Sequence, residues 1–235
     1  MPLYTPNGSV ATTRRTRASR LPELMAFDAD IRQRYTVHRR LIGVDEVGRG
    51  SLIGPVVAAA VVLPERMDAP VLLGLDDSKK LSARTRMHLA AWLEAHALTA
   101  IGQASQQEVE TLNVHQASLL AAHRAIIALC EASTPWGDSE DFILLDGRSR
   151  LPGLPASAHQ AIIKGDGQSA CIAAASVVAK HFRDSLVQQL AQEYPHYDWH
   201  TNMGYASAGH RRALALYGAT PYHRRTFLGR VLTEG

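Results

Sequence analysis

The stretch LIGVDEVGRGSLIGPVVAAAVVL, residues 41–63, constrains the fold of this chain more than any other part of the sequence. Both of its ends are rich in Val, Ile and Ala, a composition typical of buried strands. Asp45 and Glu46 nevertheless stand side by side inside the first apolar run, and three glycines follow them closely. A buried carboxylate is costly unless it is paired or binds a cation. The stretch therefore predicts two strands joined by a glycine turn. It also predicts that the two acids of the first strand are paired or bind a cation.

The rest of the chain alternates between helical and strand-like patterns. Apolar residues at helical spacing predict helices at residues 22–35, 83–96, 114–131, 169–194 and 207–217. Short apolar runs predict strands at residues 41–47, 56–63, 98–104, 142–145 and 160–164. An early antiparallel group of strands, followed by strands that alternate with helices, predicts an α/β fold with a mixed β-sheet flanked by helices.

Length and composition limit the class of protein to which this chain can belong. The chain has 235 residues, 46% hydrophobic and 20% charged, as expected for one soluble globular domain, and no apolar run is long enough for a membrane helix. Residues 1–20 contain four arginines and no acid, and we expect them to form a disordered tail; an organellar transit peptide is the alternative. Residues 21–235 are expected to form a single domain. Cys130 and Cys171 lack metal or redox spacing, so we expect reduced, buried thiols.

Two further acids, Asp146 and Asp166, stand at the ends of strand-like runs beside glycines. An arginine partner would explain any one buried acid, but it is a weaker explanation for four. Clustered carboxylates repel one another unless a hard divalent cation neutralises them, and oxygen ligands favour Mg²⁺ or Mn²⁺. Two such ions about 3.5–4 Å apart can activate a water molecule and stabilise the leaving oxygen in phosphodiester hydrolysis.

The adjacent pair Asp45 and Glu46 raises a geometric difficulty, because neighbouring strand residues point to opposite faces. We expect Gly48 and Gly50 to end or bulge the strand, so that the longer Glu46 side chain curls around its end. The same glycines also suggest a dinucleotide-binding turn. That match is poor, because Ile53 stands where the third glycine belongs and a strand rather than a helix follows.

The basic residues point to phosphate contacts. Arginine supplies 21 of the 25 Lys and Arg residues, so the few lysines indicate places where a compact point charge is wanted. These lysines are Lys79, Lys80, Lys164 and Lys180. Near the C-terminus, aromatic and basic residues are interleaved in a way that suits a nucleic-acid groove, although an exposed basic helix face is an equal alternative. These residues are Tyr205, His210, Arg211, Arg212, Arg224 and Arg225.

Taken together, five blocks of the sequence resemble the ribonuclease HII family, the type 2 ribonucleases H. The blocks are GVDEVGRGSLIGPVVAAAV, DDSKKLS, ILLDG, IIKGDGQSACIAAASVVAKHFRD and NMGYASAGH…HRRTF, and they cover most of residues 41–227. The resemblance implies a ribonuclease-H-like fold with a helical C-terminal part. It also implies metal-dependent endonucleolytic cleavage of RNA in RNA–DNA hybrids and 5′ of ribonucleotides embedded in DNA, leaving 5′-phosphate and 3′-hydroxyl ends.

The resemblance also assigns roles to residues. The metal-binding and catalytic carboxylates match Asp45, Glu46, Asp146 and Asp166. The motif that recognises the ribose 2′-hydroxyl, the group that distinguishes RNA from DNA, matches Gly48, Arg49, Gly50 and Tyr205. Further substrate contacts are expected at Lys79, Lys80, Lys164, Ser176, Lys180 and Arg224. Met203 departs from the family, since many members carry lysine there.

A cytoplasmic monomer that acts on RNA–DNA hybrids and ribonucleotide-containing DNA, without a membrane partner, is the expectation. Two other classes of function stay open at this point. A nucleotide-dependent enzyme would bind nucleotides without cleaving hybrids. A non-catalytic nucleic-acid binder would bind hybrids without releasing product.

Overall fold

The computed structural model describes residues 19–35, 40–133 and 141–233. The predicted tail therefore lies outside the described residues, except for Ser19 and Arg20. The prediction of one domain over residues 21–235 stays a prediction.

Five strands of the described chain form one mixed sheet in the order β3-β2-β1-β4-β5. The strands are β1 (Leu41–Val47), β2 (Val56–Val62), β3 (Leu98–Ala104), β4 (Phe142–Asp146) and β5 (His159–Ile162). β1 and β2 are antiparallel, as are β2 and β3, whereas β4 is parallel to both β1 and β5. This topology confirms the predicted mixed α/β fold, because the first three strands are joined without crossover and β4 enters after two helices.

Eight α-helices are found in the same residues. They are α1 (Leu21–Tyr35), α2 (Ala83–His96), α3 (Gln106–Leu112), α4 (Val114–Ser133), α5 (Ala170–Glu193), α6 (Trp199–Asn202), α7 (Ala208–Tyr217) and α8 (Arg225–Thr233). The five predicted helices correspond to α1, α2, α4, α5 and α7. The N-cap predicted at Ser82 is present, since its side chain accepts a hydrogen bond from the backbone N–H of Thr85.

Each face of the sheet is covered by one long helix. α5 packs on the face of β1 that carries Leu41, and α4 packs on the face that carries Ile42 and Val44. The approach of α5 to β1 is so close that a Cβ atom at Gly43 would lie 2.1 Å from the backbone of Cys171. This contact places the apolar first half of α5 in the core, as its all-round hydrophobicity predicts.

A third apolar cluster joins the C-terminal helices to the second half of α5 and to the turn after β1. It includes Leu52, Ile53, Val187, Trp199 and Leu214. The loop before α8 also pairs with this turn through a backbone bridge between Ile53 and His223. The C-terminal part therefore fixes the glycine turn that the sequence singles out.

Two other predictions can be compared with the structure. Cys130 and Cys171 are both free and buried, as expected. Within the described residues no helix is both long enough and apolar enough to span a bilayer.

Candidate active site

The four carboxylates lie around one end of the sheet. Asp45 and Glu46 stand near the end of β1, and Asp146 is the last residue of β4, the parallel neighbour of β1. Asp166 lies in a short 3₁₀ turn, Gly165–Gly167, between β5 and α5. Parallel neighbours end at the same edge of a sheet, so the chain reversals after β1, β4 and β5 bring these acids together.

Asp45 is buried on the α5 face of the sheet, with 6% of its surface exposed. One carboxylate oxygen accepts the backbone N–H of Glu46 at 2.8 Å, and the side chain also accepts a hydrogen bond from Ser176. Burial, followed by the negative charges of Glu46, Asp146 and Asp166, raises the pKa of Asp45 well above its usual value. The four acids are therefore close enough to repel one another.

Glu46 keeps a regular place in a strand that ends at Val47, immediately before Gly48, so the predicted strand end is found and the alternative bulge is not. Its partner in the antiparallel ladder is Ala58, and the pairing continues through Val47 to Val57 without an extra residue. The side chain therefore points to the α4 face, opposite Asp45. There Arg49 donates a hydrogen bond to it at 3.0 Å. Burial raises the pKa of Glu46 above its ordinary value, although Arg49 opposes the shift.

Asp146 lies between the two faces. It lines a small cavity of about 40 Å³ on the α4 side together with Glu46 and Arg49. It also lines an open cavity of about 620 Å³ on the other side, together with Asp166 and Lys79. One of its oxygens accepts the backbone N–H of Gly165 at 2.6 Å, which ties the end of β4 to the turn that carries Asp166.

Asp166 is 7% exposed and faces the larger cavity. Its carboxylate lies 3.5 Å from the Nζ of Lys79, whose own side chain is 76% exposed. Burial and the charges of Asp146 and Asp77 raise the pKa of Asp166. Burial alone would lower the pKa of Lys79, but the surrounding carboxylates, Asp166 first, outweigh it and raise that pKa. Lys79 is therefore held as a cation beside the acids.

The donor set fits a hard divalent cation, because all four groups are carboxylates whose mutual repulsion such an ion would relieve. In the parts of the chain that the structure describes, no three His, Cys, Asp or Glu side chains are yet placed to hold one ion. Two of the four are engaged by exposed cations, Glu46 by Arg49 and Asp166 by Lys79. A metal ion bound here would therefore replace these cations rather than enter a preformed cage.

The glycine turn after β1 presents backbone N–H groups outward. Gly48 has a φ of +91°, and the carbonyl groups of Gly48 and Arg49 both accept hydrogen bonds from the buried Arg224. Because a trans peptide directs its C=O and N–H to opposite sides, the N–H groups of Arg49 and Gly50 face away from Arg224. Neither donates to another described residue. The turn can thus donate two hydrogen bonds to a ligand.

Tyr205 stands beside this turn. A Cβ atom at Gly50 would lie 3.8 Å from Cε1 of the Tyr205 ring. Backbone bonds fix the two segments to each other, since the N–H of Leu52 donates to the carbonyl of Gly204 at 2.9 Å. Tyr205 is 39% exposed. The structure therefore places Arg49, Gly50 and Tyr205 on one surface next to Glu46, with Gly48 buried behind it.

Two residues predicted to contact substrate are buried instead. Arg224 is 0% exposed and its guanidinium points beneath the glycine turn. Ser176 is 3% exposed and lies between the Ser78 hydroxyl, at 2.7 Å, and Asp45. The prediction of direct contact does not fit either side chain, because neither reaches the surface. Arg224 positions the glycine turn, which does reach the surface, and Ser176 positions the buried carboxylate of Asp45.

The four lysines divide into two kinds. Lys79 and Lys164 are exposed on the wall of the larger cavity, where Lys80 also lies. Lys80 pairs with Asp76 at 3.1 Å. Lys180 is half-buried and pairs with Asp184 at 2.6 Å, so its charge is already compensated. At the larger cavity Lys79 and Lys80 are therefore paired with acids, and Lys164 is the lysine there that forms no ion pair with a described acid.

Sequence reasoning missed a buried histidine pair behind Tyr205. The Thr220 N–H donates to Nδ1 of His223, so the proton of the neutral ring is on Nε2, which lies 3.0 Å from Nε2 of His210. His210 Nε2 also accepts the Trp199 indole N–H at 3.0 Å. His210 therefore carries its proton on Nδ1 and donates it to the Tyr205 carbonyl, 3.0 Å away. No local pattern in the sequence could have indicated this pairing.

Arg20 was also not expected at the site. Its guanidinium donates to the carbonyl of Gly167 at 3.1 Å and lines the larger cavity. The start of α1 therefore lies at the mouth of the cavity that contains Asp146 and Asp166. Apart from the basic character of the segment, no pattern of residues indicated this contact.

The chain was compared with known proteins. The family model described as Ribonuclease HII matches residues 42–230. A ribonuclease HII of Ruegeria pomeroyi is 50% identical over 190 residues, covering 81% of this chain and 76% of the relative. A ribonuclease HII of Paramagnetospirillum magneticum is 45% identical over 199 residues, covering 84% of this chain and 94% of the relative.

Solved structures share the fold. Ribonuclease HII of Archaeoglobus fulgidus, solved in complex with PCNA, gives a TM-score of 0.65 at 23% identity and covers 82% of this chain and 96% of its own. Bst-RNase HIII in complex with Mn²⁺ gives a TM-score of 0.62 at 19% identity and covers 83% of this chain and 71% of its own. These likenesses confirm the ribonuclease-H-like fold. From the extent of the family match and the identity of its relatives, we conclude that the chain belongs to the ribonuclease HII family, the divalent-metal-dependent type 2 endoribonucleases that act on RNA–DNA hybrids.

Proposed function

We propose that this enzyme cuts the RNA strand of hybrids and also cuts 5′ of single ribonucleotides embedded in duplex DNA, leaving 5′-phosphate and 3′-hydroxyl ends. The observation that supports this most is the joint placement of two features. Four carboxylates surround the end of the sheet, and beside Glu46 lies a turn with two N–H groups that donate to no other described residue. The first feature suits phosphodiester hydrolysis, and the second suits recognition of one nucleotide at the cleavage point.

Asp45, Glu46, Asp146 and Asp166 would hold Mg²⁺ or Mn²⁺, in a site for two ions. When bound, such ions supply Lewis acidity at the scissile phosphate and lower the pKa of a water molecule. The Mn²⁺ complex of Bst-RNase HIII, which shares the fold, supports a divalent ion. Asp146 lines both cavities, so it is the residue best placed to serve both ions.

The glycine turn and Tyr205 would read the ribose. The N–H groups of Arg49 and Gly50 can donate to a phosphate oxygen or to the 2′-oxygen, and the half-exposed Tyr205 ring can pack against the sugar. The 2′-hydroxyl is absent from deoxyribose, so these groups provide a test of RNA against DNA at one position. Because the turn and Tyr205 are hydrogen-bonded to each other through Leu52 and Gly204, they would act as one surface.

The lysines at the larger cavity would bind phosphates. Lys79 and Lys164 are exposed there, and Arg20 adds a further cation at its mouth. Such contacts add affinity without reading sequence. Met203 is partly buried against the third apolar cluster, so we assign no phosphate contact to it.

A dinucleotide-dependent enzyme is not favoured. The residues after the glycine turn form β2 rather than a helix, so no helix N-terminus is available there to bind a pyrophosphate.

We further propose that the enzyme works as a cytoplasmic monomer whose partners are RNA–DNA hybrids and ribonucleotide-containing DNA.

The proposal is tested with three end-labelled duplexes of one sequence: all DNA, DNA with one ribonucleotide, and an RNA–DNA hybrid. Each is incubated with the enzyme in Mg²⁺, Mn²⁺ or EDTA. We expect one cut 5′ of the lone ribonucleotide, several cuts in the hybrid, none in DNA and none in EDTA. Cleavage of the hybrid alone would refute the embedded-ribonucleotide activity, and cleavage in EDTA would refute the metal requirement.

A further inference from the structure

Two arginines lie buried beneath the glycine turn. Arg183 in α5 and Arg224 before α8 are both 0% exposed. Arg224 donates from Nη1 to the carbonyl groups of Gly48, Arg49 and Ser51 at 2.8–3.1 Å and from Nε to that of Gly54 at 2.9 Å. One guanidinium therefore holds the whole turn by its inward-facing carbonyl groups.

Arg183 holds the same region from the other side. Its guanidinium donates to the carbonyl groups of Met203, at 3.2 Å, and Ile53, at 3.4 Å. A Cβ atom at Gly48 would lie only 2.3 Å from its Nε, so the side chain passes directly under the turn. The guanidinium carbon also lies 5.8 Å from the centre of the Tyr205 ring. Arg183 thus links the turn to the segment that carries Tyr205.

Neither arginine is neutralised by an acid within the described chain. Asp184 is the carboxylate that acts on Arg183, after a larger effect of Tyr205, but it is paired with Lys180 and Arg86. Glu110 acts on Arg224 after a larger effect of Tyr205, but it accepts hydrogen bonds from the first N–H groups of α8. Among the described residues, neither the Nε of Arg183 nor the Nη2 of Arg224 has a hydrogen-bond partner.

Burying a charge without a counter-ion is costly. A neutral donor could hold the same carbonyl groups without that cost. Burial, with the charge of Arg183 adding to it, lowers the pKa of Arg224 to about 9, so the group still carries its charge at neutral pH. The buried charge lies behind the two outward N–H groups of Arg49 and Gly50. Backbone N–H groups backed by positive charge favour an anion in front of them.

We propose that Arg183 and Arg224 are positioning residues for ribonucleotide recognition. Together they hold the turn and the Tyr205 segment in one arrangement, and their uncompensated charge favours a backbone phosphate of the ribonucleotide-containing strand at that surface. The inference rests on the proposed function, since it concerns how the same site distinguishes ribose from deoxyribose.

The test compares Arg224→Lys with Arg224→Met. For each variant we would measure KM and kcat on the duplex with one ribonucleotide, the inhibition constant of the matching all-DNA duplex, and Tm. Lysine can carry the charge, and assays at about pH 6 keep a buried ammonium protonated, but it cannot bond the four carbonyl groups. We therefore expect Arg224→Lys to raise KM about tenfold with little change in DNA affinity. Methionine removes the charge as well, so Arg224→Met should also weaken DNA binding.

Arg66→Met is the matched control, because it removes the same charge from an exposed arginine beyond the far end of β2. The ratio compared is the inhibition constant of the DNA duplex divided by the KM of the ribonucleotide-containing duplex, and Arg66→Met should leave it unchanged. An equal change of that ratio in Arg66→Met, or an unchanged ratio in a folded Arg224→Lys protein with lowered Tm, would overturn the proposal. Arg183→Lys gives the same test on the second guanidinium, which makes fewer hydrogen bonds.

Two further outcomes have a definite meaning. Failure of the wild-type enzyme to cut the lone ribonucleotide would refute the proposed function itself, whatever the variants do. If the wild type cuts and both lysine variants fail to fold, the arginines serve only to hold the structure together, and the positioning role is overturned.

Discussion

Protonation of the buried histidine pair should make the enzyme unstable in mild acid. His223 and His210 share one hydrogen bond between their Nε2 atoms, and His223 Nδ1 accepts the Thr220 N–H. A second proton on His223 would have to bind Nδ1, where it would point at the Thr220 N–H, which is itself a hydrogen-bond donor. Burial, followed by the proximity of His210, lowers the pKa of His223 from 6.5 to about 4. Burial also lowers the pKa of His210.

The direction in which folding stability changes with pH follows from the difference in histidine pKa between the folded and the unfolded chain. A histidine with a depressed pKa in the folded state is protonated first in the unfolded chain, so stability is lost as pH falls from about 6.5 towards 4. The loss is about 1.4 kcal/mol per pH unit, or about 2 kcal/mol at pH 5. The carboxylates with raised pKa values, such as Asp45, act in the opposite direction, so the wild-type protein alone does not isolate the histidine effect.

Urea unfolding of the metal-free protein at pH 7 and pH 5 measures the effect, with His223→Gln as the comparison because glutamine does not titrate. We expect the wild type to lose about 2 kcal/mol more than the variant between the two pH values. Equal pH dependence of the two proteins would refute the reasoning, since it would show that His223 is not held neutral by its surroundings.

Three further predictions concern the site. Asp45→Asn should abolish cleavage but raise the Tm of the metal-free protein, because it removes a buried charge from a repelling cluster; near-normal turnover would contradict the metal-ligand role. Lys79→Met should raise KM severalfold without weakening Mn²⁺ binding, as titrated without substrate, and weaker Mn²⁺ binding would contradict a role in phosphate contact alone. Tyr205→Ala should slow cleavage at a lone ribonucleotide more than it weakens duplex binding, and Tyr205→Phe should lose less; equal small effects in kinetic assays would leave Tyr205 as a packing residue.

The regular core of the fold was predictable because its signals are local. Strand-like runs bounded by glycines and helices with clear caps gave β1–β5 and five helices nearly at their observed ends. Helix α3 was missed because its sequence has few apolar residues. Its capping box of Ser105 and Glu108 was nevertheless present in the sequence and could have found it. Helix α8 was missed because its apolar face is short and is defined by packing of Phe227 and Leu228 against distant elements.

The site was predictable in its composition but less so in its geometry. The acids stood out because charge is rare in apolar strands, and this needed no knowledge of the fold. Whether an arginine binds substrate or is buried depends on residues far away in sequence, so Arg224 resembled a surface group in the run YHRRTF. Glu46 was expected to curl around the end of β1, whereas its side chain stays on the α4 face of a regular strand and Asp146 lines cavities on both faces.

Binding of Mn²⁺ tests the central claim most directly, because it does not depend on turnover. Free Mn²⁺ can be followed by electron paramagnetic resonance during titration of the wild type and of Asp146→Asn. Asp146 is the carboxylate that lines both cavities, so its loss as an ionised ligand should affect every ion in the site. We expect saturable binding to the wild type and at least a tenfold loss of affinity in the variant. Undiminished Mn²⁺ affinity in a folded Asp146→Asn protein would contradict the assignment of these carboxylates as the metal site.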